Sequence, residues 1–216
     1  MISLGIWQDS ERLDGPAHMA RDEALLNEAE APVLRIYRWP SRQVSLGYFC
    51  SLREARVQYP GWPMVRRWTG GGVVEHGEDW TFSLAIPGAR PPAGALYCEI
   101  HRALTEALRE SGVNAVLRES NEPARPGGAC FLNPVESDVM VEAVKIAGGA
   151  QRRNRRGVLH QGSLRVAGVD SDFFERFGAN LAPTTQPWTP SPAYLQAAGR
   201  LEQTRYATAE WLEKFK

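Results

Sequence analysis

Cysteine is scarce in this 216-residue sequence: Cys50, Cys98 and Cys130 are odd in number, far apart and include no Cys-x-x-Cys pair. Such spacing suggests neither a disulfide framework nor a zinc site, so no protein-held metal is expected and a reduced, cytoplasmic setting fits best. Net charge is lacking too, with 25 Lys+Arg against 25 Asp+Glu, and nothing global points to nucleic acid or to a membrane as partner. No stretch approaches the roughly 20 apolar residues of a spanning helix. The segment Met1 to Gly15 carries Asp9, Glu11 and Asp14 and has no basic start leading into an apolar run, so no signal peptide is expected there and the chain is read as soluble. Its length suffices for one domain with a sizeable core, and 1–216 is taken as a single domain without internal repeats.

Periodicity supplies the elements. After Asp14, an N-cap candidate, Ala17, Ala20 and Ala24 fall at helical spacing and Leu25 and Leu26 widen the apolar face until Pro32 ends it. Val33 to Trp39 and Val44 to Phe49 are β-branched and aromatic, and Pro40-Ser41-Arg42 between them reads as a turn joining a strand pair. Trp80, Phe82, Leu84 and Ile86 alternate with Thr81, Ser83 and Ala85, predicting a strand with one buried face that Pro87-Gly88 stops. Ile100, Ala103, Leu104, Ala107 and Leu108 predict a helix ended by Gly112. The run Asn121 to Gly128 reads as a loop, and Val139 to Val166 as strands broken by a basic turn at Arg152 to Arg156. Tyr206 to Phe215 predicts a closing amphipathic helix. The class is α+β, with a mixed, largely antiparallel sheet flanked by helices.

Three segments carry chemistry. In Arg66-Arg67-Trp68-Thr69-Gly70-Gly71-Gly72-Val73-Val74-Glu75-His76, successive glycines let the backbone approach a ligand, and two arginines offer forks for phosphate or carboxylate. No Gly-Lys-Ser/Thr follows and position 75 is not glycine, so neither a phosphate-binding Walker loop nor a dinucleotide fingerprint is present. By themselves, three glycines read first as a glycine-rich turn with solvated arginines. In the second, Lys145 lies between apolar residues beside Gly148 and Gly149, where partial desolvation suits a base or a group that polarises an acyl carbonyl. Arg152, Arg153, Arg155 and Arg156 follow, as a solvated turn or a dock for an acidic partner, and then His160-Gln161-Gly162-Ser163. The third is Cys130, flanked by Gly127 and Gly128, more accessible than the usual buried thiol and a thiolate candidate if a lysine is near. Cys50 and Cys98 read as core residues, and His18 and His101 are given no role.

Taken in order, Arg66-Arg67-x-x-Gly70-Gly71-Gly72-x-x-x-His76, Lys145-Ile146-x-Gly148-x-Ala150 and His160-Gln161-Gly162-Ser163 resemble the paired motifs of the lipoate/octanoate protein ligase and transferase family. The resemblance extends upstream through Asp22-Glu23-Ala24-Leu25 and Arg35-x-Tyr37-x-Trp39 to Val44-Ser45-Leu46-Gly47. It implies a catalytic domain like that of biotin and lipoate ligases and an acyl chain in an apolar tunnel under the glycine loop; the roughly fifty residues after the last motif leave little room for the accessory C-terminal domain that ligases of the family usually carry, and none is expected. Lys145 would meet the acyl carboxyl or carbonyl, His76 would order the loop, and Arg66, Arg67, Gly70, Gly71, Gly72, Gly148, Gly149, His160 and Gly162 would line the substrate site.

Two activities follow from the resemblance, both ending in an octanoyl or lipoyl group on a lysine of a lipoyl-domain acceptor. In transfer, Cys130 takes octanoyl from an acyl carrier protein and needs no cofactor, with Lys145 assisting proton movement. In ligation, ATP and magnesium activate the free acid as an adenylate, with Arg66, Arg67, loop amides and Lys145 around the α-phosphate. Ala129-Cys130-Phe131 and Gly149-Ala150-Gln151 look like the cysteine-dependent octanoyltransferases, whereas Gly72 looks like the ligases; the balance favours transfer. A biotin ligase would need a Gly-Arg-Gly-Arg-type loop, absent here. Two departures prompt a third reading, a non-catalytic binder of a lipoyl domain or acyl carrier. Gln161-Gly162 stands where the family has His-Gly, with His160 one position early, and Gly77-Glu78-Asp79 replaces the usual residue after His76.

Overall fold

The computed structural model describes residues 1–88, 91–119, 135–169 and 172–215. Strand β1 (Ser3–Gln8) leads to helix α1 (Gly15–Glu28), strands β2 (Val33–Tyr37) and β3 (Gln43–Leu46), helix α2 (Leu52–Gln58) and strands β4 (Met64–Arg66), β5 (Val74–His76) and β6 (Trp80–Pro87). Helix α3 (Ala93–Glu110) precedes β7 (Ala115–Leu117), β8 (Val139–Val141), β9 (Val144–Asn154) and β10 (Gly157–Leu164). The chain then runs through α4 (Phe173–Leu181), β11 (Thr184–Pro187), α5 (Pro192–Leu201), a π-helical turn at Glu202–Tyr206 and α6 (Ala209–Leu212).

The expected α+β class holds. An eight-stranded sheet runs β11-β1-β2-β6-β10-β9-β8-β7, parallel at β11-β1-β2 and antiparallel across the rest. A three-stranded sheet, β4-β3-β5, lies apart from it. One face of the large sheet, with Leu34, Phe82, Leu84, Ile86 and Val158, packs on Ile100, Leu104 and Leu108 of α3 and on Phe173, Phe177 and Leu181 of α4. The other face, with Val33, Ala85 and Leu159, packs on Ala24, Leu25 and Leu26 of α1 and on Tyr194 and Ala198 of α5.

Several local expectations change. The runs on either side of Pro40 are not partners: β2 pairs β1 and β6, while β3 pairs β4 and β5 in the small sheet. Strand β6 is buried from Thr81 to Ile86 on both faces, because α1 covers the side that Thr81, Ser83 and Ala85 occupy. Arg152 and Arg153 belong to β9, so only Arg155 and Arg156 form the turn. The closing helix is a single turn, Ala209–Leu212. Asp14 stands at the N-cap of α1 without capping; Gln43 of β3 takes its place, accepting from Gly15 N at 3.0 Å and donating to Asp14 at 3.1 Å. Cys50, in the turn after β3, and Cys98, on α3, are half-buried free thiols and not core residues. Among the described residues no helix is long and apolar enough to cross a membrane.

Candidate functional site

The large and small sheets enclose a cavity beneath the Arg66–Gly72 loop, lined by Met19, Tyr37, Trp39, Val74 and Ala150 and by the polar side chains of Ser45, Arg67, His76, Thr81, Gln161 and Ser163. Of the three loop glycines only Gly71 has a positive φ, +80°, a conformation that costs glycine little. Gly47 has no Cβ because the Gly71 carbonyl lies where one would project. Gly71, Gly148, Gly149 and Gly162 all border the cavity.

Neither arginine presents the free fork expected from sequence. Arg66 is fully buried; it donates to the carbonyls of Gly47, Tyr48 and Cys50 at 3.2, 2.9 and 2.8 Å and to Leu212 and Phe215 at 2.8 and 3.3 Å. Arg67 donates to Ser45 O and Oγ at 2.8 and 2.6 Å and to the carbonyls of Gly70 and Gly72 at 3.0 and 2.8 Å. Both hold the loop's shape from beneath, because main-chain carbonyls there would otherwise be buried without donors.

His76 sits at the cavity wall with its ring stacked 4.0 Å from that of Trp39. Its Nδ1 meets Asp79 Oδ2 at 2.8 Å and its Nε2 meets the Ser45 hydroxyl at 2.6 Å. The order Asp-His-Ser has the outline of a nucleophilic triad. Ser45 is fully buried, however, and its oxygen already accepts from Arg67, so the chain ties the loop to β5. Burial lowers the His76 pKa, with Asp79 opposing. Burial alone would raise the Asp79 carboxyl, but His76, Ser163 Oγ at 2.6 Å and Gly77 N at 3.1 Å bring it down to about 2.

Lys145 is reached through a β-bulge. Val139 pairs Ala147 while Met140 pairs Lys145, so Ile146 is an extra residue, and it shares the helix-covered core with Ala147. The bulge thereby turns Lys145 to the face of Gly148. A Cβ on Gly148 would lie 2.5 Å from Lys145 Cε and 2.6 Å from its Nζ. The lysine is not a lone desolvated amine: Nζ pairs with Asp138 Oδ2 at 2.8 Å, both side chains being buried.

His160 and Gln161 correct the sequence reading. Side chains alternate along β10, so neighbours take opposite faces. His160 points into the helix-covered core, stacked 5.8 Å from Phe82 and edge-on to His101 at 5.5 Å, and a Cβ on Gly149 would meet its ring. Gln161 faces the cavity instead, accepting from Thr69 Oγ1 at 2.7 Å and donating to Asp22 Oδ2 at 2.6 Å. Asp22 also pairs with Arg35 at 2.6 Å, and Arg35 with Asp9 at 2.7 Å, an inner charge network anchoring α1 to β2. Gly162 makes room for the Phe82 ring. Trp68 lies 5.0 Å under the Arg152 guanidinium, which also covers Tyr48 at 5.3 Å. Cys130 lies outside the described residues.

Asp138 and Tyr97 were not singled out by sequence, and Ser45 and Gln161 stood within quoted motifs without a role of their own. A signal for Asp138 existed: Val139-Met140-Val141 and Val144 onward flank two residues, Glu142 and Ala143, and reading that as a hairpin would have set the carboxylate near Lys145.

A family model for the lipoyl protein ligase A/B catalytic domain matches residues 14–189. The chain is 32% identical over 180 residues to an octanoyltransferase LipM of Staphylococcus epidermidis, covering 74% of this chain and 65% of that protein. To the LipM of Exiguobacterium sibiricum it is 32% identical over 192 residues, covering 79% and 70%. It thus spans about two thirds of the length of these relatives. In fold it is similar to a lipoate-protein ligase A bound with ATP, at a TM-score of 0.83 and 20% identity over the whole of both chains. It is also similar to a bi-partite lipoate protein ligase of Thermoplasma acidophilum described with its E2 lipoyl domain, at 0.78 and 20% over 100% and 98%. Motifs, fold and family match agree: the chain belongs to the lipoyl protein ligase A/B catalytic-domain family.

Proposed function

We propose that this protein transfers an octanoyl or lipoyl group to a lysine of a lipoyl-domain protein. The observation that carries the reading is Lys145, an ammonium paired with a buried carboxylate and set against Gly148, itself one of the residues lining the cavity under the glycine loop. Such a cation suits the negative charge that develops on an acyl oxygen when a nucleophile adds. In the transfer mechanism the Cys130 thiolate attacks a carrier-protein thioester, the carrier thiol leaves, and the acceptor lysine attacks the acyl-cysteine and frees Cys130. The likeness to octanoyltransferases supports this route, with an acyl carrier protein as donor and no cofactor. Arg67, His76 and Gln161 hold the loop over the acyl chain, and neither nucleic acid nor membrane takes part.

A second cavity favours the alternative, ATP-dependent ligation. It has a volume of about 900 Å³, opens on the other side of His76 and Asp79, and is lined by Arg38, Arg42, Arg165, Trp62 and Trp80 together with Glu75, Glu78 and Asp79, which gives room for a nucleotide and arginines for its phosphates, with three carboxylates among them. No group of three His, Cys, Asp or Glu among the described residues forms a metal site, so magnesium would arrive with the nucleotide.

Intact-mass spectrometry decides between them. Incubation with octanoyl-carrier protein should give a hydroxylamine-labile octanoyl adduct that Cys130→Ala abolishes and that passes to an added apo lipoyl domain. Acylation of the domain only with octanoate, ATP and magnesium, and without an adduct, would establish ligation. No acylation in either mixture would leave a binding protein.

A further inference from the structure

We infer that Asp138 and Tyr97 are positioning residues that fix Lys145 as a cation beside the cavity, a role that rests on the acyl-transfer reading above. Asp138 is fully buried and has no freedom of its own. Its Oδ2 receives Lys145 Nζ at 2.8 Å and Val135 N at 2.6 Å, and its Oδ1 receives the Tyr97 hydroxyl at 2.6 Å. Tyr97, on α3, uses its oxygen twice, because the same atom accepts Gly149 N at 3.1 Å. That bond ends the ladder where β8 leaves β9: β8 pairs β9 only as far as Ala147, and Tyr97 takes the amide just beyond. One phenol oxygen therefore ties the carboxylate to the strand that carries the lysine.

The backbone around Asp138 is built to the same end. Ser137 has φ +65°, a left-handed conformation that a residue with a Cβ adopts at a cost and that the surroundings must hold. They do so through His101, on α3, whose Nδ1 meets the Ser137 carbonyl at 2.7 Å. On the other side, the bulge at Ile146 brings Lys145 over Gly148, where the absent Cβ leaves space for its stem. Titratable groups packed about the pair are Tyr97 and His101 from α3 and His160 from β10, with ring separations of 4.1 Å for Tyr97–His101 and 5.6 Å for Tyr97–His160. Lys145 is thus an electrostatic group for the developing oxyanion, where desolvation alone would have suggested a base. A carboxylate facing the ammonium holds it at one point, and the charge is useful only while held there.

The test uses the full chain, its Asp138→Asn and Tyr97→Phe variants, and brief acetic anhydride pulses from pH 6 to 11, with labelling of Lys145 read by peptide mass spectrometry. The reagent needs the free amine but no acyl transfer. Asp138→Asn should move the midpoint of Lys145 labelling to lower pH, and the alkaline limb of the acyl-transfer rate should move with it. On the scale of losing a preorganised oxyanion group, kcat should fall by about 10- to 100-fold with KM nearly unchanged. Tyr97→Phe, which removes one oxygen, should act in the same direction by about 3- to 10-fold; it keeps the question open to test should Asp138→Asn fold poorly. An unchanged labelling midpoint in both variants would overturn the positioning role whatever the activity. A shifted midpoint would uphold it, and if that shift left transfer rates untouched the acyl-transfer role of Lys145 would fall instead.

Discussion

At the scale of single residues, two of the glycines bordering the cavity, Gly148 and Gly162, are kept free of side chains for different neighbours. A Cβ on Gly148 would strike the tip of Lys145, a flexible group that can move aside. On Gly162 it would strike the buried Phe82 ring, which cannot. Gly148→Ala should therefore lower acyl transfer by about 10-fold or more through misplacement of the ammonium, with a nearly unchanged melting temperature. Gly162→Ala should lower stability by about 1–3 kcal/mol, read as a drop in melting temperature. Wild-type turnover in Gly148→Ala would separate Lys145 from the chemistry. Most of these positions were legible as motifs, since glycine and lysine stand out in sequence. His160 was misassigned because a shift of one residue in a strand exchanges faces, and only the pairing of β10 with β6 shows that Gln161 has the cavity side.

Elements this short need outside support. Strands β3, β4 and β5 have four, three and three residues, too few to stand alone. Arg66 supplies part of that support by joining the turn after β3 to the segment 212–215 through main-chain carbonyls. Arg66→Met should destabilise the chain by about 2–4 kcal/mol, since several buried acceptors lose a charged donor at once. Urea unfolding measures the loss, and earlier proteolytic release of the C-terminal segment should accompany it. An Arg66→Met protein of unchanged stability that had lost acyl transfer would return this residue to the substrate site. Sequence periodicity located α1, β6, α3 and the β9–β10 pair, where the apolar pattern is long. It missed β1, α2, β4, β5, β7, α4, α5 and β11, and it joined β2 to β3 because adjacent strands commonly pair.

Over the whole molecule, all four histidines are buried, and burial is the leading cause that lowers each. His18, also pressed by Arg35, falls to about 2 and His101 to about 4, while His76 and His160 shift in the same direction. Unfolded, each would take up a proton near pH 6.5; folded, it does so only at lower pH. The native state therefore keeps its full stability above about pH 6.5 and loses it as pH falls toward the folded values, at up to about 1.4 kcal/mol per pH unit for each histidine. Asp79, lowered from 3.8 to about 2, adds its own loss only below about pH 4. Melting temperature should thus decline between pH 6.5 and 4, and less steeply in His101→Phe; a flat profile would mean that the imidazoles can be protonated within the fold.

The sequence alone determined the class, the family likeness and the motifs that carry it, because chain order and residue type suffice for periodicity and for motif spacing. Tertiary structure decided which side chains meet the cavity. Pairing register, the bulge at Ile146 and burial turn Lys145 toward Asp138, Gln161 toward Thr69, and both arginines onto main-chain carbonyls. Direction and partnership are properties of three-dimensional packing, and a lone sequence position carries neither.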